Sequence, residues 1–349
     1  METIKPKVRK PVFFVSYDNK DITAHISPFV ISVSYTDNLE GKADEISIDI
    51  EDTFHNWKQG WYPVKGDKLS LKMGYEDERL VNCGTFEIDE IEFNGAPDVV
   101  TIRAISASVT KALRQNNTKA YENKSLKQIA AEIAAKHELK LVGEIKDIKL
   151  KRITQNGERD LSFLRRIAEE YGYIFKIADD KLIFFEVETL RGYDVTATID
   201  RKQMSRFRFL DKTSNTYKAC EISYFDARAK KLITVTVKAK ATETKQRAAK
   251  GSTVKVSTNE GQPKEDTLKL TIRCENKQQA IAKARAALNG KNKFIEADID
   301  IFGEPRICAG INFDVTGLYR LNGKYQAESV VHTITRQSGY ASSIKAVRI

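Results

Sequence analysis

Four carboxylates crowd one short stretch, Glu87, Asp89, Glu90 and Glu92. A pair of carboxyls is what glycoside hydrolysis uses, one as general acid and one as base or nucleophile. These four alternate with apolar residues, so they also read as the solvated face of a strand. The four histidines, His25, His55, His137 and His332, are far apart and none pairs at i, i+4, so no helical metal site is encoded. Cys83, Cys220, Cys274 and Cys308 are scattered without a CxxC and read as buried thiols of a reducing compartment. There is no P-loop, no GxGxxG after a strand and no GxSxG. A serine–histidine pair assembled only by the fold stays open. Arg228 to Lys255 holds nine Lys or Arg against Glu243 alone, and accounts for most of the net charge of +10. Such a run offers a salt-dependent nucleic-acid contact, but it lacks the interleaved aromatics of a stacking platform. Trp57 and Trp61, at i, i+4 in a turn-rich segment, read either as core packing or as an aromatic anchor at a subunit interface.

The elements that would position these residues are mostly strands. At 349 residues the chain calls for two or three domains. No apolar run is long enough to cross a membrane, and the basic N-terminus lacks the apolar stretch of a signal peptide. Strands are expected at Val12–Tyr17, Val30–Tyr35 and Leu69–Met73, at Gly84–Phe93, and at Val99–Ile105. Ile46, Ile48 and Ile50 alternate with polar residues as a half-buried strand would. Phe86 and Ile88 fall on one parity and Ile91 and Phe93 on the other, which marks a bulge. From Thr196 the pattern is β again, through Ser205–Leu210, Ala219–Asp226, Lys231–Val237 and the strands that close the chain. Ala239–Lys264 reads as an exposed insertion.

Between these regions the pattern turns helical. Ser125 and Gln128 form a capping box that opens a helix running to about His137. Then comes QNGERDLSFLRRIAEEYGYIFKIADDKLIFFE, residues 155–186. Asn156-Gly157 reads as a turn, Asp160 as a helix N-cap, and Leu161, Leu164, Ile167 and Ala168 recur at helical spacing. Gly172 is placed to end the helix, and an aromatic hairpin follows, turning at Asp179-Asp180.

Two regions share their punctuation. Gly66, a strand, Gly74, Gly84-Thr-Phe86, Gly95 and Ile102-Arg-Ala104 are echoed by Gly310, a strand, Gly317, Gly323-Lys-Tyr325, Gly339 and Ile344-Lys-Ala346. The fold class expected is α+β, mainly β: two similar small β-barrel domains flanking a helix-plus-hairpin domain. The boundaries fall at residues 1–110, 111–192 and 193–349, the last with a basic insertion at about 228–264 and a helix at about 277–289.

The central stretch resembles the signature of the phage late-control protein D family through Gln155, Glu158, Asp160, Phe163, Leu164, Arg166 and Gly172. Further motifs are similar to that family in the same order. They are Thr36-Asp37-Asn38 with Ala43-Asp44, Gly66-Asp67, Gly84 with Phe86 and Asp89, Gly95-Ala96-Pro97-Asp98, Gly310, Gly323 with Tyr325, Val331–Ile334, and Gly339-Tyr340. Residues 228–264 match least. The family supplies the hub of contractile-tail baseplates and is related to the N-terminal hub part of type VI secretion spike proteins. The resemblance implies a homotrimer of two-barrel chains forming a pseudo-six-fold ring between a hexameric tail tube and a trimeric spike. Its expected partners are a separate spike protein and the tube protein, with baseplate wedge and tape-measure proteins as further neighbours and nucleic acid only as cargo. It implies no cofactor and no enzymatic activity, and a place in the tail baseplate of a virion or phage-tail-like particle made in the bacterial cytoplasm. The reading that competes with it is a nucleic-acid-binding module built on residues 228–255.

Overall fold

Ile46, Ile48 and Ile50 point to one side of their strand and are almost completely buried. Each contributes about 1.5–3 kcal/mol of apolar burial. They belong to the first of two β units in a computed structural model that describes residues 9–40, 43–106, 115–178, 180–212, 216–226, 230–239 and 266–349. This unit holds β1 (Pro11–Tyr17), β2 (Lys20–Asp21), helix α1 (Thr23–Ile26), β3 (Val30–Asn38), β4 (Glu45–Glu51), β5 (Lys68–Tyr75), β6 (Val81–Asn94) and β7 (Val99–Ser106).

The middle of the chain forms β8 (Asn116–Ser125), α2 (Leu126–Lys136), β9 (Lys140–Val142), β10 (Lys149–Arg159), α3 (Asp160–Tyr171), β11 (Tyr173–Ala178), β12 (Lys181–Glu186) and α4 (Val187–Gly192). The Ser125–Gln128 capping box forms as the sequence predicts. Lys119–Lys124 lies in β8, which pairs antiparallel with β10. Two expectations change. Asn156-Gly157 is a bulge inside β10, not a turn between elements, with Gly157 at φ 61°. Asp160 is the first helical residue and makes no capping bond; the strand runs straight into the helix, so the cap position falls to Arg159. Gly172 does end α3, at φ 77°.

The remainder comprises β13 (Val195–Asp200), β14 (Met204–Asp211), β15 (Ala219–Asp226), β16 (Lys231–Lys238), β17 (Thr267–Thr271), α5 (Lys277–Lys291), β18 (Ile295–Phe302), β19 (Asn312–Thr316), β20 (Gly323–Thr335) and β21 (Gly339–Arg348). Here β15, β16 and β17 make a separate three-stranded sheet, with α5 packed over it around Cys220, Ile222, Ala280 and Ala284. Helix α5 runs to Lys291, two residues past the expected end at about 289, and includes Gly290.

The sequence echo is an echo of topology. In the first unit the strands pair in the order β1-β5-β6-β7-β4-β3, and in the second β13-β19-β20-β21-β18-β14. Ile88 faces Ala104 and Glu90 faces Arg103, leaving Asp89 as the extra residue of a bulge. Ala327 faces Ala346 and Ser329 faces Lys345, leaving Glu328 in the same place. A second bulge also recurs, between Val30 and Ser32 and between Met204 and Arg206. Gly66 donates its N–H to Ile88 O at 2.8 Å, and Gly310 donates to Ala327 O at 2.8 Å. Both glycines have positive φ, 94° and 91°, where a β-carbon is strained. One strand breaks the match: β1 runs antiparallel to β5, whereas β13 runs parallel to β19. The two units are not separate sheets. The second half of β20 pairs with β3, from Ser329 opposite Asn38 to Thr335 opposite Ser32, so both lie in one 13-stranded sheet.

Candidate functional site

Several of the residues singled out by sequence fall into three polar networks, and each one joins elements. The first lies in the central stretch. Asp160 is 1% exposed. Its Oδ1 accepts from Gln155 Nε2 at 2.7 Å and Asn117 Nδ2 at 3.1 Å, and its Oδ2 accepts from Lys136 Nζ at 2.8 Å and His137 Nε2 at 2.7 Å. Burial alone would raise this carboxyl, but these donors outweigh it and hold it below its ordinary value. Gln155 also donates to Glu158 O at 2.9 Å, closing the β10 bulge. Arg166 grips Glu158 at 2.6 Å and reaches Glu170 at 3.3 Å. Phe163 and Leu164 fill the core beneath, with Phe163 stacked on Tyr121 at 5.4 Å. The motif is therefore a clamp that fixes strand, bulge and helix to one another.

The second network is the seam between three parts of the chain. Lys176, on β11, binds Asp37 and also Asp44, the latter at 2.9 Å. Asp37 Oδ2 accepts from the backbone N–H of Ala309 at 2.8 Å, and Asp44 Oδ1 from that of Asn38 at 3.0 Å. Burial would lower the Lys176 ammonium, yet the two carboxylates outweigh it and hold it above its ordinary range. Burial pushes the Asp44 carboxyl up to about 6 in spite of Lys176. A cleft at this seam is lined by Tyr35, Cys83 and Phe86 of the first unit, Phe185 of the hairpin and Gly310 of the second unit. Sequence reasoning singled out Asp37 and Asp44 but missed Lys176, whose partners are more than a hundred residues away.

The third surrounds His332, which is fully buried. Its Nε2 faces the carbonyl of Ile307 at 3.0 Å and so carries the proton. Nδ1 then accepts from Tyr340 OH at 2.8 Å and Ser342 Oγ at 3.1 Å. Burial lowers its pKa, which favours this neutral form. Tyr340 also packs on Tyr75 of the first unit, ring centroids 5.2 Å apart.

The remaining candidates are structural in placement. Gly84 and Gly323 have positive φ, and Phe86 and Tyr325 two residues on are buried. Phe86 meets Tyr35 edge-on at 6.0 Å, and Tyr325 meets Phe209 edge-on at 5.8 Å. Gly339, at φ 73°, turns β20 into β21. In the Gly95–Asp98 turn, which includes Pro97, Asp98 binds Lys58 and lies 3.3 Å from His55 Nδ1. Among the four strand carboxylates, Glu90 and Glu92 pair with Arg103 at 3.0 and 3.2 Å, and Asp89 sits on the exposed bulge. Trp57 is buried, whereas Trp61, edge-on to it at 5.8 Å, is 44% exposed beside exposed Phe54, Tyr62 and Val64. Among the described residues no group of three or more His, Cys, Asp or Glu could hold a metal ion. No described helix is long and apolar enough to cross a membrane. Much of the basic segment, residues 227–229 and 240–265, lies outside the described residues, and its β16 part is a plain sheet strand.

A strand order that recurs within one large sheet, locked by buried polar clamps, is the make-up of a structural scaffold. The chain belongs to the phage tail baseplate hub (GPD) family, whose profile matches residues 65–338. It is 34% identical over 190 residues to the probable baseplate hub protein of Escherichia phage P2, covering 54% of this chain and 47% of that one. It is 32% identical over 178 residues to the corresponding protein of Escherichia phage 186, covering 50% and 45%. These matches thus span under half the length of the curated relatives. Its fold is similar to that of the 43 kDa tail protein of prophage MuSo2 from Shewanella oneidensis, with a TM-score of 0.70, 13% identity, and 97% and 98% of the two chains covered. It is also similar to the E. coli c3393 protein, a component of the type VI secretion system, with a TM-score of 0.55, 12% identity, and 92% and 74% covered.

Proposed function

We propose that this chain is the hub of a contractile-tail baseplate, in a phage or a phage-tail-like particle, and that it acts as a homotrimer. Its two β units behave as two barrel-like tube domains, residues 1–110 and 193–349, on either side of the clamp domain 111–192. Three chains then present six similar units, which suits a hexameric tube on one face and a three-fold spike on the other. The observation that carries this reading is the duplicated strand order with its recurring bulges, because a ring that converts three-fold into six-fold symmetry needs two equivalent units per chain. The work is mechanical: holding the spike, closing the tube end and nucleating tube assembly. No cofactor enters.

Light scattering of the purified chain, alone and co-expressed with the spike protein of the same tail, tests it. A mass of three chains, or of three plus three with the spike, supports the reading. A stable monomer that ignores the spike removes it.

A further inference from the structure

The two β units are joined by a strand pairing that, among the described residues, is used once and has an unused counterpart. Within the chain, β3 of the first unit docks on the second half of β20, beyond the Glu328 bulge. The topological match names the equivalents. Pairing to β4 and to β18 equates β3 with β14, so that Tyr35 corresponds to Phe209 and Asn38 to Lys212. Pairing to β7 and to β21 equates β20 with β6, so that Ser329 corresponds to Glu90 and His332 to Phe93.

Both equivalents are open. Among the described residues, β14 pairs only with β18 and ends the sheet. Its segment Ser205–Arg208 is exposed, including the aromatic Phe207. On β6, pairing with β5 stops at Glu87, so among the described residues the strand beyond the Asp89 bulge is paired to β7 alone. An exposed edge of this length with aromatic side chains is a pairing template that soluble proteins cover. Tyr62, in the loop before β5, stacks its ring on Phe93 at 5.7 Å, while the end of that loop leaves the backbone edge as it stands in the second unit. Gly66 and Asp67 bond to Ile88 just as Gly310 and Ile311 bond to Ala327, and the latter arrangement coexists with the β3–β20 pairing.

We infer that β14 of one copy of this chain adds to β6 of a second copy, antiparallel, in the register that β3 uses on β20. This rests on the ring reading above and names the surfaces that would close it. Transferring the register sets Lys212 opposite Glu90, Leu210 opposite Glu92, Phe209 opposite Phe93 and Arg208 opposite Asn94. The side chains suit those positions. Where the internal seam has Ser329 donating to Asn38 at 3.0 Å, the seam between copies gains an ammonium facing a carboxylate. Where His332 stacks on Tyr35 at 6.3 Å, it gains two facing phenylalanines. Directly opposed pairs of these kinds each favour a register by a fraction of a kcal/mol. The interface is head to tail, and where its rotation closes after three copies it gives a ring of alternating internal and external seams. Lys212 also pairs with Glu296 and Glu90 with Arg103 within their own chain, so the contact between copies would join these two pairs into one charge network that the internal seam lacks.

The test uses the full chain with Glu90→Cys and Lys212→Cys, singly and together. Opposed residues of an antiparallel pair lie within disulfide reach. Under mild oxidation the double variant gives covalent trimers on a non-reducing gel, and neither single variant does. In parallel, Glu90→Lys and Lys212→Glu each shift the mass measured by light scattering towards monomer by about tenfold in assembly constant, and the combined swap restores it. A chain that scatters as a trimer yet shows no 90–212 cross-link and no response to charge reversal overturns the β14–β6 seam while leaving the ring reading intact. A chain that stays monomeric under all conditions, with the spike protein or without it, overturns both.

Discussion

Gly303 lies flat beneath the ring of Tyr340: a β-carbon at residue 303 would sit 2.1 Å from Tyr340 Cγ, and the Gly303 N–H donates to Tyr340 O at 2.9 Å. The same tyrosine donates to His332 and packs on Tyr75, so the glycine lets one ring tie the second unit to the first.

Gly303→Ala has nowhere to go, since both the ring and the backbone behind it are fixed. It is expected to lose about 2–3 kcal/mol of stability through forced repacking. Gly60→Ala, at a site with no atom within 4 Å, serves as the control and should stay within about 1 kcal/mol of the parent. Urea unfolding midpoints of the two variants decide it, and equal midpoints would mean that the contact is not tight.

Lys176→Met removes the cation that two buried carboxylates share. Breaking a buried ion pair on one side costs about 3–5 kcal/mol. The loss should depend on pH with a definite sign. Asp44 already titrates at about 6 in the folded chain because burial raises it, against about 3.9 when unfolded. Between these values the folded state holds a proton that the unfolded state has released, so this group weakens the fold as pH rises through about 6. Without Lys176 the carboxyl rises further, and the deficit should be larger at pH 8 than at pH 5. An equal deficit at both would show that the lysine does not govern Asp44.

Asp160→Asn tests the opposite sign. The native carboxyl is held below its ordinary value by Gln155, Lys136 and His137 against the effect of burial. Its contribution is therefore present above the unfolded value and is lost as pH falls through the lower folded value. The variant should lose about 2–3 kcal/mol at pH 7, with less further loss on acidification than the parent. Thermal melts at pH 7 and at pH 3.5 read both effects, and parallel pH curves would refute the clamp's electrostatic role.

How much of this was legible follows from how local each signal is. The Ile46–Ile50 alternation, the capping box at Ser125 and the shift of parity between Ile88 and Ile91 are each written within ten residues, and each forms as read. The echo was legible because glycines with positive φ, Gly66 and Gly310 among them, are few and mark fixed points of a repeated backbone. Which sheet a strand joins is not local. Ala219–Asp226 and Lys231–Val237 look like any alternating strands, and nothing near them says that they leave the large sheet to form their own under α5. Asp160 has the residue type and place of a cap, but its partners, Asn117, Lys136 and His137, come from other elements. Lys176 finds both its carboxylate partners more than a hundred residues away, so nothing in the hairpin's own sequence marks it.

Trp57 and Trp61 present the last test, because the structure splits a pair that sequence left undivided. Trp57 is buried and its backbone N–H donates to Asp52 Oδ1 at 3.1 Å. Trp61 is half-exposed beside Tyr62, whose ring stacks on Phe93 at 5.7 Å, next to the open flank of β6. Trp57→Ala should therefore cost about 3–5 kcal/mol of stability in the isolated chain, the usual cost of emptying an aromatic core site. Trp61→Ala should cost less than about 1 kcal/mol there, since little of its contact area is lost on truncation. If Trp61 anchors an interface, as exposed tryptophans often do, its truncation should instead weaken assembly about tenfold or more, read as a shift in the concentration at which scattering mass halves. A Trp61→Ala chain that assembles like the parent would leave Trp61 as cover for Trp57 and nothing more.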